Sequence, residues 1–154
     1  VLMPGVPQVP EIKPLAPWTA ALAVLPLPIA FAILFDARVS EWPVIFAAST
    51  LGYLATELGG SYLGADIAPF VGALVVGLVG NFYARSADRP ALVAITPGIL
   101  VLVPGSIGFH SLTSFLESGT VEGMEGAFRT GFVAISLVCG LLASNLILPP
   151  RRIL

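Results

Sequence analysis

Apolar residues in this chain neither alternate with period two nor recur on one face between polar stretches; they come in long runs. The runs cover about 18–35, 43–60, 67–84, 91–109 and 130–148. Each approaches the roughly 20 residues that an α-helix needs to cross a hydrocarbon core about 30 Å thick. The pattern predicts an all-α membrane protein with five transmembrane helices. The fourth run carries Pro97-Gly98 and Pro104-Gly105. Proline removes a backbone donor and clashes with the preceding turn, and glycine loosens the backbone. The fourth helix is therefore expected to be discontinuous at both pairs, with the other segments around it. Such breaks persist in lipid only where protein or a watery cavity satisfies the freed groups.

Small residues subdivide the other runs. Ala48, Gly52, Thr56 and Gly60 recur every fourth position, as do Ala73 with Gly77, and Ser136 with Gly140 and Ser144. Stripes of this kind let membrane helices approach closely. Ahead of the first run, prolines at 4, 7, 10, 14 and 17 favour an extended tether over 1–17. The membrane domain then occupies 18–150, and 151–154 form a basic tail. Between the last two runs, Leu112, Phe115 and Leu116 suit a short interfacial helix. The chain opens Val1-Leu2-Met3 with no basic segment before an apolar one, which is not a signal peptide and reads as a piece of a longer or processed protein.

Composition strengthens the membrane assignment. Hydrophobic residues make up 56% and charged ones 10%. About 25% charge is usual for a soluble domain, so this chain has too little to cover a watery surface. A net charge of −2 with seven scattered basic residues excludes a nucleic-acid-binding face. The single cysteine, Cys139, excludes an internal disulfide and reads as a packing residue. Arg38, Arg85, Arg89, Arg151 and Arg152 fall on one side of the predicted spans, and Lys13 and Arg129 on the other. By the positive-inside rule the C-terminus is cytoplasmic and the N-terminus outside, in the cytoplasmic (plasma) membrane.

The stretch Ile95-Thr96-Pro97-Gly98-Ile99-Leu100-Val101-Leu102-Val103-Pro104-Gly105-Ser106-Ile107-Gly108-Phe109 resembles the most distinctive motif of the C-terminal half of the threonine/serine exporter family. The third run, ending Gly80-Asn81-Phe82-Tyr83-Ala84-Arg85, and the last run with Asn145 fit the same family, so the likeness extends over about 18–148. The resemblance implies one half of a secondary transporter that exports threonine and serine by alternating access, driven by the proton gradient. An N-terminal half, on the same longer chain or as a separate subunit, would complete it as in inverted-repeat transporters. Five helices alone hardly enclose a pathway with two gates, so a partner half or a homo-oligomer is implied. Some related systems are linked to dicarboxylate export. That alternative would require a cationic residue facing the route, and no Lys or Arg lies at mid-span here.

On this reading the small amino acid meets the broken helix. Half-helix ends expose N–H groups that suit a carboxylate and carbonyls that suit an ammonium. The substrate-binding candidates are Thr96, Pro97, Gly98, Pro104, Gly105 and Ser106, with the two hydroxyls available to the substrate side chain. The alternative is that both pairs only shape helix packing. Glu57 and His110 are the proton-coupling candidates: an intramembrane carboxylate often marks a proton relay, and an imidazole titrates near neutrality. Against this, Glu57 lies near a helix end, where snorkelling is cheap, and a histidine at the interface needs no special role. Asn81 and Asn145 are polar groups placed to bridge helices.

The acids Glu117, Glu122 and Glu125 match no metal-loop spacing and read as a solvated face, so no metal or other cofactor is expected. Ser106 and His110 do not make a hydrolase either. A nucleophile elbow needs Gly-x-Ser-x-Gly, and Pro104 stands where its first glycine belongs. Enzymatic chemistry is not expected; a non-transporting scaffold that packs through the small-residue stripes is the remaining alternative.

Overall fold

A computed structural model describes residues 26–64, 67–103, 109 and 120–150, with the side chains of 120–123 set aside. The described residues form five α-helices and no strand: α1 Pro26–Leu34, α2 Trp42–Leu63, α3 Ala68–Ala87, α4 Leu92–Leu102 and α5 Thr120–Ile147, with a short 3₁₀ turn at Val39–Glu41 before α2. Two of them, Ala68–Ala87 and the Met124–Ile147 part of α5, are long and apolar enough to cross a membrane. The tether at 1–17, the start of the first run, Pro104 to Ser106, His110, the interfacial stretch around 112–116 and the tail at 151–154 lie outside the described residues.

Local sequence explains where the helices begin and end. Pro43 and Pro69 sit in the first turns of α2 and α3, where a missing N–H costs nothing. The Glu41 carboxylate accepts the Arg38 backbone N–H at 3.1 Å, and the Trp42 indole N–H donates to the Ala37 carbonyl at 3.3 Å, fixing the entry to α2. Gly64 ends α2 at φ +95°, a conformation that glycine tolerates best. Asp88 ends α3 in the left-handed region, just before Arg89-Pro90.

The helix at the centre is α3, which corrects the expectation that the fourth run is the hub. Its pairings with α2 and α5 are the most extensive in the bundle, and it also packs on α4. By contrast, α4 makes smaller contacts with α1, α2 and α3, and α1 touches only α2 and α4 among the strongly packed pairs. The reason is steric. A row of buried small residues (Gly72, Ala73, Gly77, Gly80 and Ala84) leaves α3 thin enough for three neighbours. A Cβ on Gly77 would lie 2.6 Å from the Ser144 Cβ of α5, and one on Gly80 would lie 2.5 Å from Ile95 Cγ1 of α4. Ala73, Val133 and Leu137 form a small apolar core where α3 meets α5, with Ile99 and Leu102 of α4 packed on it.

Two expected boundaries move. α4 runs unbroken through Pro97-Gly98, so that pair is not a break. Proline can be held inside a membrane helix because neighbouring helices take up the local loss of hydrogen bonding. The helix ends at Leu102, and Val103 is extended at ψ 124°, as the residue before a proline prefers. α5 begins at Thr120, ten residues before the last apolar run. At about 1.5 Å per residue its 28 residues reach about 42 Å, beyond the hydrocarbon core. The Thr130 hydroxyl bonds back to the Gly126 carbonyl at 2.9 Å.

Candidate functional site

Arg85 and Arg89 lie together at one end of the bundle. The Arg89 guanidinium faces the Glu41 carboxylate at 3.9 Å, and Arg85 Nε donates to the Pro149 carbonyl at 2.9 Å. These contacts bring the start of α2, the end of α3, the start of α4 and the end of α5 to a common level. Arg129 lies near the start of α5, toward the opposite end.

At the first Pro-Gly pair, Pro97 and Gly98 are buried and Thr96 is half-buried. A Cβ on Gly98 would sit 2.6 Å from Val76 Cγ1 of α3 and 3.6 Å from the Ala48 Cβ of α2. The pair is thus a three-helix packing contact. Pro104, Gly105, Ser106 and His110 lie outside the described residues.

The two asparagines meet across the α3–α5 seam. Asn81 Nδ2 donates to Asn145 Oδ1 at 2.8 Å. Asn81 is fully buried and its own Oδ1 has no partner. Glu57 is exposed on α2, with the Tyr53 hydroxyl one turn earlier interacting with its carboxylate.

Ser49 and Thr50, in the middle of α2, were not singled out in the sequence. Both hydroxyl oxygens are buried without a hydrogen-bond partner, and Ser49 is wholly inaccessible. An orphaned buried hydroxyl costs about 1–3 kcal/mol. Other helix hydroxyls satisfy themselves on their own helix: Thr56 on Gly52 at 2.9 Å, Ser86 on Phe82 at 3.0 Å and Ser144 on Leu141 at 2.7 Å. The available signal was a Ser-Thr pair at the centre of an otherwise apolar run, Val44 to Leu54. Uncharged polar side chains in a span commonly bond across to a neighbouring helix, and these two do not.

An apolar cavity of about 450 Å³ opens between α1 and α2, lined by Pro28, Ile29, Ala32, Trp42, Pro43 and Phe46. A second, of about 350 Å³, follows the exposed face of α5 beside Phe128, Gly131, Phe132 and Ile135. Among the described residues no three His, Cys, Asp or Glu side chains are placed to hold a metal ion together.

Comparison with known proteins defines the class. A family model described as "Threonine/Serine exporter, ThrE" matches residues 20–147, and the chain belongs to that family. Its curated relatives include two fungal proteins named pheromone-regulated membrane protein 10. The protein from Eremothecium gossypii is 29% identical over 157 residues, covering 90% of this chain and 21% of its own length. The one from Saccharomyces cerevisiae is 35% identical over 108 residues, covering 68% of this chain and 28% of its own length. The chain therefore spans less than a third of either relative. No solved structure matches it. With its apolar helices and this family, it is a membrane protein of the exporter type.

Proposed function

We propose that this chain is one half of a secondary transporter that moves threonine and serine out of the cell in exchange for protons, by alternating access. The observation that carries this is the family match over residues 20–147, which covers every described helix. In the bilayer the five apolar runs would act as five spans, with α1 and α4 as the described portions of the first and fourth. The end that bears Arg85 and Arg89 faces the cytoplasm, because short cytoplasmic loops of membrane proteins collect Lys and Arg. The N-terminus is then outside, and the membrane is the cytoplasmic one.

Glu57 is the proton carrier in this scheme. It is an acid within a described helix, it is exposed, and Tyr53 supplies a hydroxyl beside it. His110 is a second candidate. A further half, on the same longer chain or on a partner subunit, completes the pathway, since five helices alone hardly enclose a route with two gates. The chain acts as a transporter component and not as an enzyme.

Counterflow of labelled threonine, serine and succinate in proteoliposomes tests the proposal. Uptake of threonine and serine that collapses with the proton gradient is the expected result. Movement of succinate alone would replace the substrate class with a dicarboxylate. No movement of any solute, with the partner half present, would leave a scaffold role.

A further inference from the structure

We propose that the transported solute meets the protein at the Ser49–Thr50 hydroxyl pair of α2, and that its route follows the face of α2 turned toward α1 instead of passing Pro97 and Gly98. The inference rests on the transport reading above and adds a site to it. Three observations converge on this face. First, Ser49 and Thr50 hold buried hydroxyls that bond to nothing in the protein, although a helix hydroxyl can bond back to its own carbonyls, as Thr56 does one turn later. Their hydrogen-bonding capacity is left for a molecule that is not part of the chain.

Second, helical spacing places the pair about two turns beyond the α1–α2 cavity along α2. Trp42 and Ser49, Pro43 and Thr50, and Phe46 and Tyr53 are each seven residues apart, two turns along one face. The cavity of about 450 Å³ is lined on α2 by Trp42, Pro43 and Phe46 and closes before the hydroxyl pair, so the proposed route extends it by about two turns along α2. It is large enough for a small amino acid and begins at the arginine-bearing end. Third, the same face continues to Tyr53 and Glu57. By contrast, Gly98 is closed against Val76 and Ala48.

The chemistry selects the ligand class. Two neutral hydroxyls, each both donor and acceptor, suit the side-chain hydroxyl or the carboxylate of a small polar solute. A carboxylate further along suits its ammonium group. Ser49 and Glu57 are eight residues apart, about 12 Å along the helix. A threonine molecule is too short to touch both, so they are successive stations of one route for a small hydroxylated amino acid.

The test uses cysteine variants of the intact protein in its membrane, in a Cys139→Ala background. Ser49→Cys and Thr50→Cys are exposed to a small hydrophilic thiol reagent, with Leu51→Cys, on the exposed side of α2, as the lipid-facing control. The expected result is modification of position 50, and of 49 if that variant folds, at least tenfold faster than of 51. L-threonine or L-serine should slow it severalfold. Rates equal to that of Leu51→Cys, or fast modification that neither amino acid slows, would overturn the proposal. Both outcomes are readable even in a preparation that shows no counterflow, so failure of the site and failure of the transport reading remain distinct. In an active preparation, Ser49→Ala and Thr50→Val should raise the counterflow KM about tenfold, and Thr50→Ser should restore it. An unchanged KM in both variants would also overturn the site.

Discussion

Asn81 on α3 and Asn145 on α5 share a hydrogen bond of 2.8 Å, and one turn further along α3 Arg85 reaches the Pro149 carbonyl at 2.9 Å. These contacts pin the arginine-bearing end of the long helix α5, which packs chiefly on α3. Replacing Asn145 by Ala leaves the buried Asn81 amide with no partner at either polar atom. Interhelical hydrogen bonds of this type are worth about 0.6–2 kcal/mol. Asn145→Ala should cost about that much in reversible unfolding in mixed micelles. A double-mutant cycle with Asn81→Ala should give a coupling of about 1 kcal/mol; additive single effects would assign the pair no net value.

A methyl group on Gly77 would collide with the Ser144 side chain, its Cβ only 2.6 Å from the Ser144 Cβ. Overpacking a tight contact costs about 1–3 kcal/mol. Gly77→Ala should lower the thermal midpoint of the purified protein, and adding Ser144→Gly should recover most of the loss. A Gly77→Ala protein as stable as the parent would mean that α3 and α5 can part without penalty.

The two Pro-Gly pairs should respond differently to the same substitution. Gly98 is closed against Val76 of α3, so Gly98→Leu should reduce the folded fraction in detergent size-exclusion chromatography. Gly105 belongs to the second pair, the one that remains a candidate for contact with the solute. Gly105→Leu should retain insertion and yield but lose counterflow. Normal export by that variant would remove the second pair from the transport site.

Much of the helical layout is legible from the apolar runs, because a chain confined to lipid must close its backbone hydrogen bonds within each segment. The small-residue stripes also point to real seams: Gly52, Gly77, Gly140 and Ser144 all sit where helices touch. What periodicity could not show is which helix packs most extensively, since α2, α3 and α4 each have three neighbours. Pro97 looks like a breaker in isolation, yet its helix runs on through it and packs at Gly98 against Val76 and Ala48, residues distant in sequence. The early start of α5 was hidden for a related reason, since Gly123 and Gly126 lower local propensity without forbidding helix. Ser49 and Thr50 stayed invisible because an orphaned hydroxyl is a property of surroundings and not of residue type.

The grouping of Arg85 and Arg89 at one end makes the topology testable with two positions. Ser61 lies exposed near the end of α2, and Ser86 lies exposed near the end of α3. In a Cys139→Ala background, Ser61→Cys should react with an impermeant maleimide on intact cells. Ser86→Cys should react only after permeabilisation. The reverse pattern would place the arginine cluster outside and overturn the orientation.

Ser49 offers a test in which stability and transport should move apart. Its buried hydroxyl lacks a partner, so the protein carries a desolvation cost there without a compensating bond. Ser49→Ala removes the hydroxyl and adds no bulk. It should leave unfolding stability unchanged or raise it by up to about 1 kcal/mol, the usual scale of a single hydrogen-bonding group. A residue present only for packing would show no effect on transport, or a loss in step with stability. Proteins commonly retain such destabilising groups where function requires them. The expected signature is a stable Ser49→Ala protein with weakened solute binding, read by thermal unfolding and counterflow on the same preparation. A drop in stability of more than about 1 kcal/mol would mean that the hydroxyl has a structural partner, since removal of an unpaired group carries no such penalty.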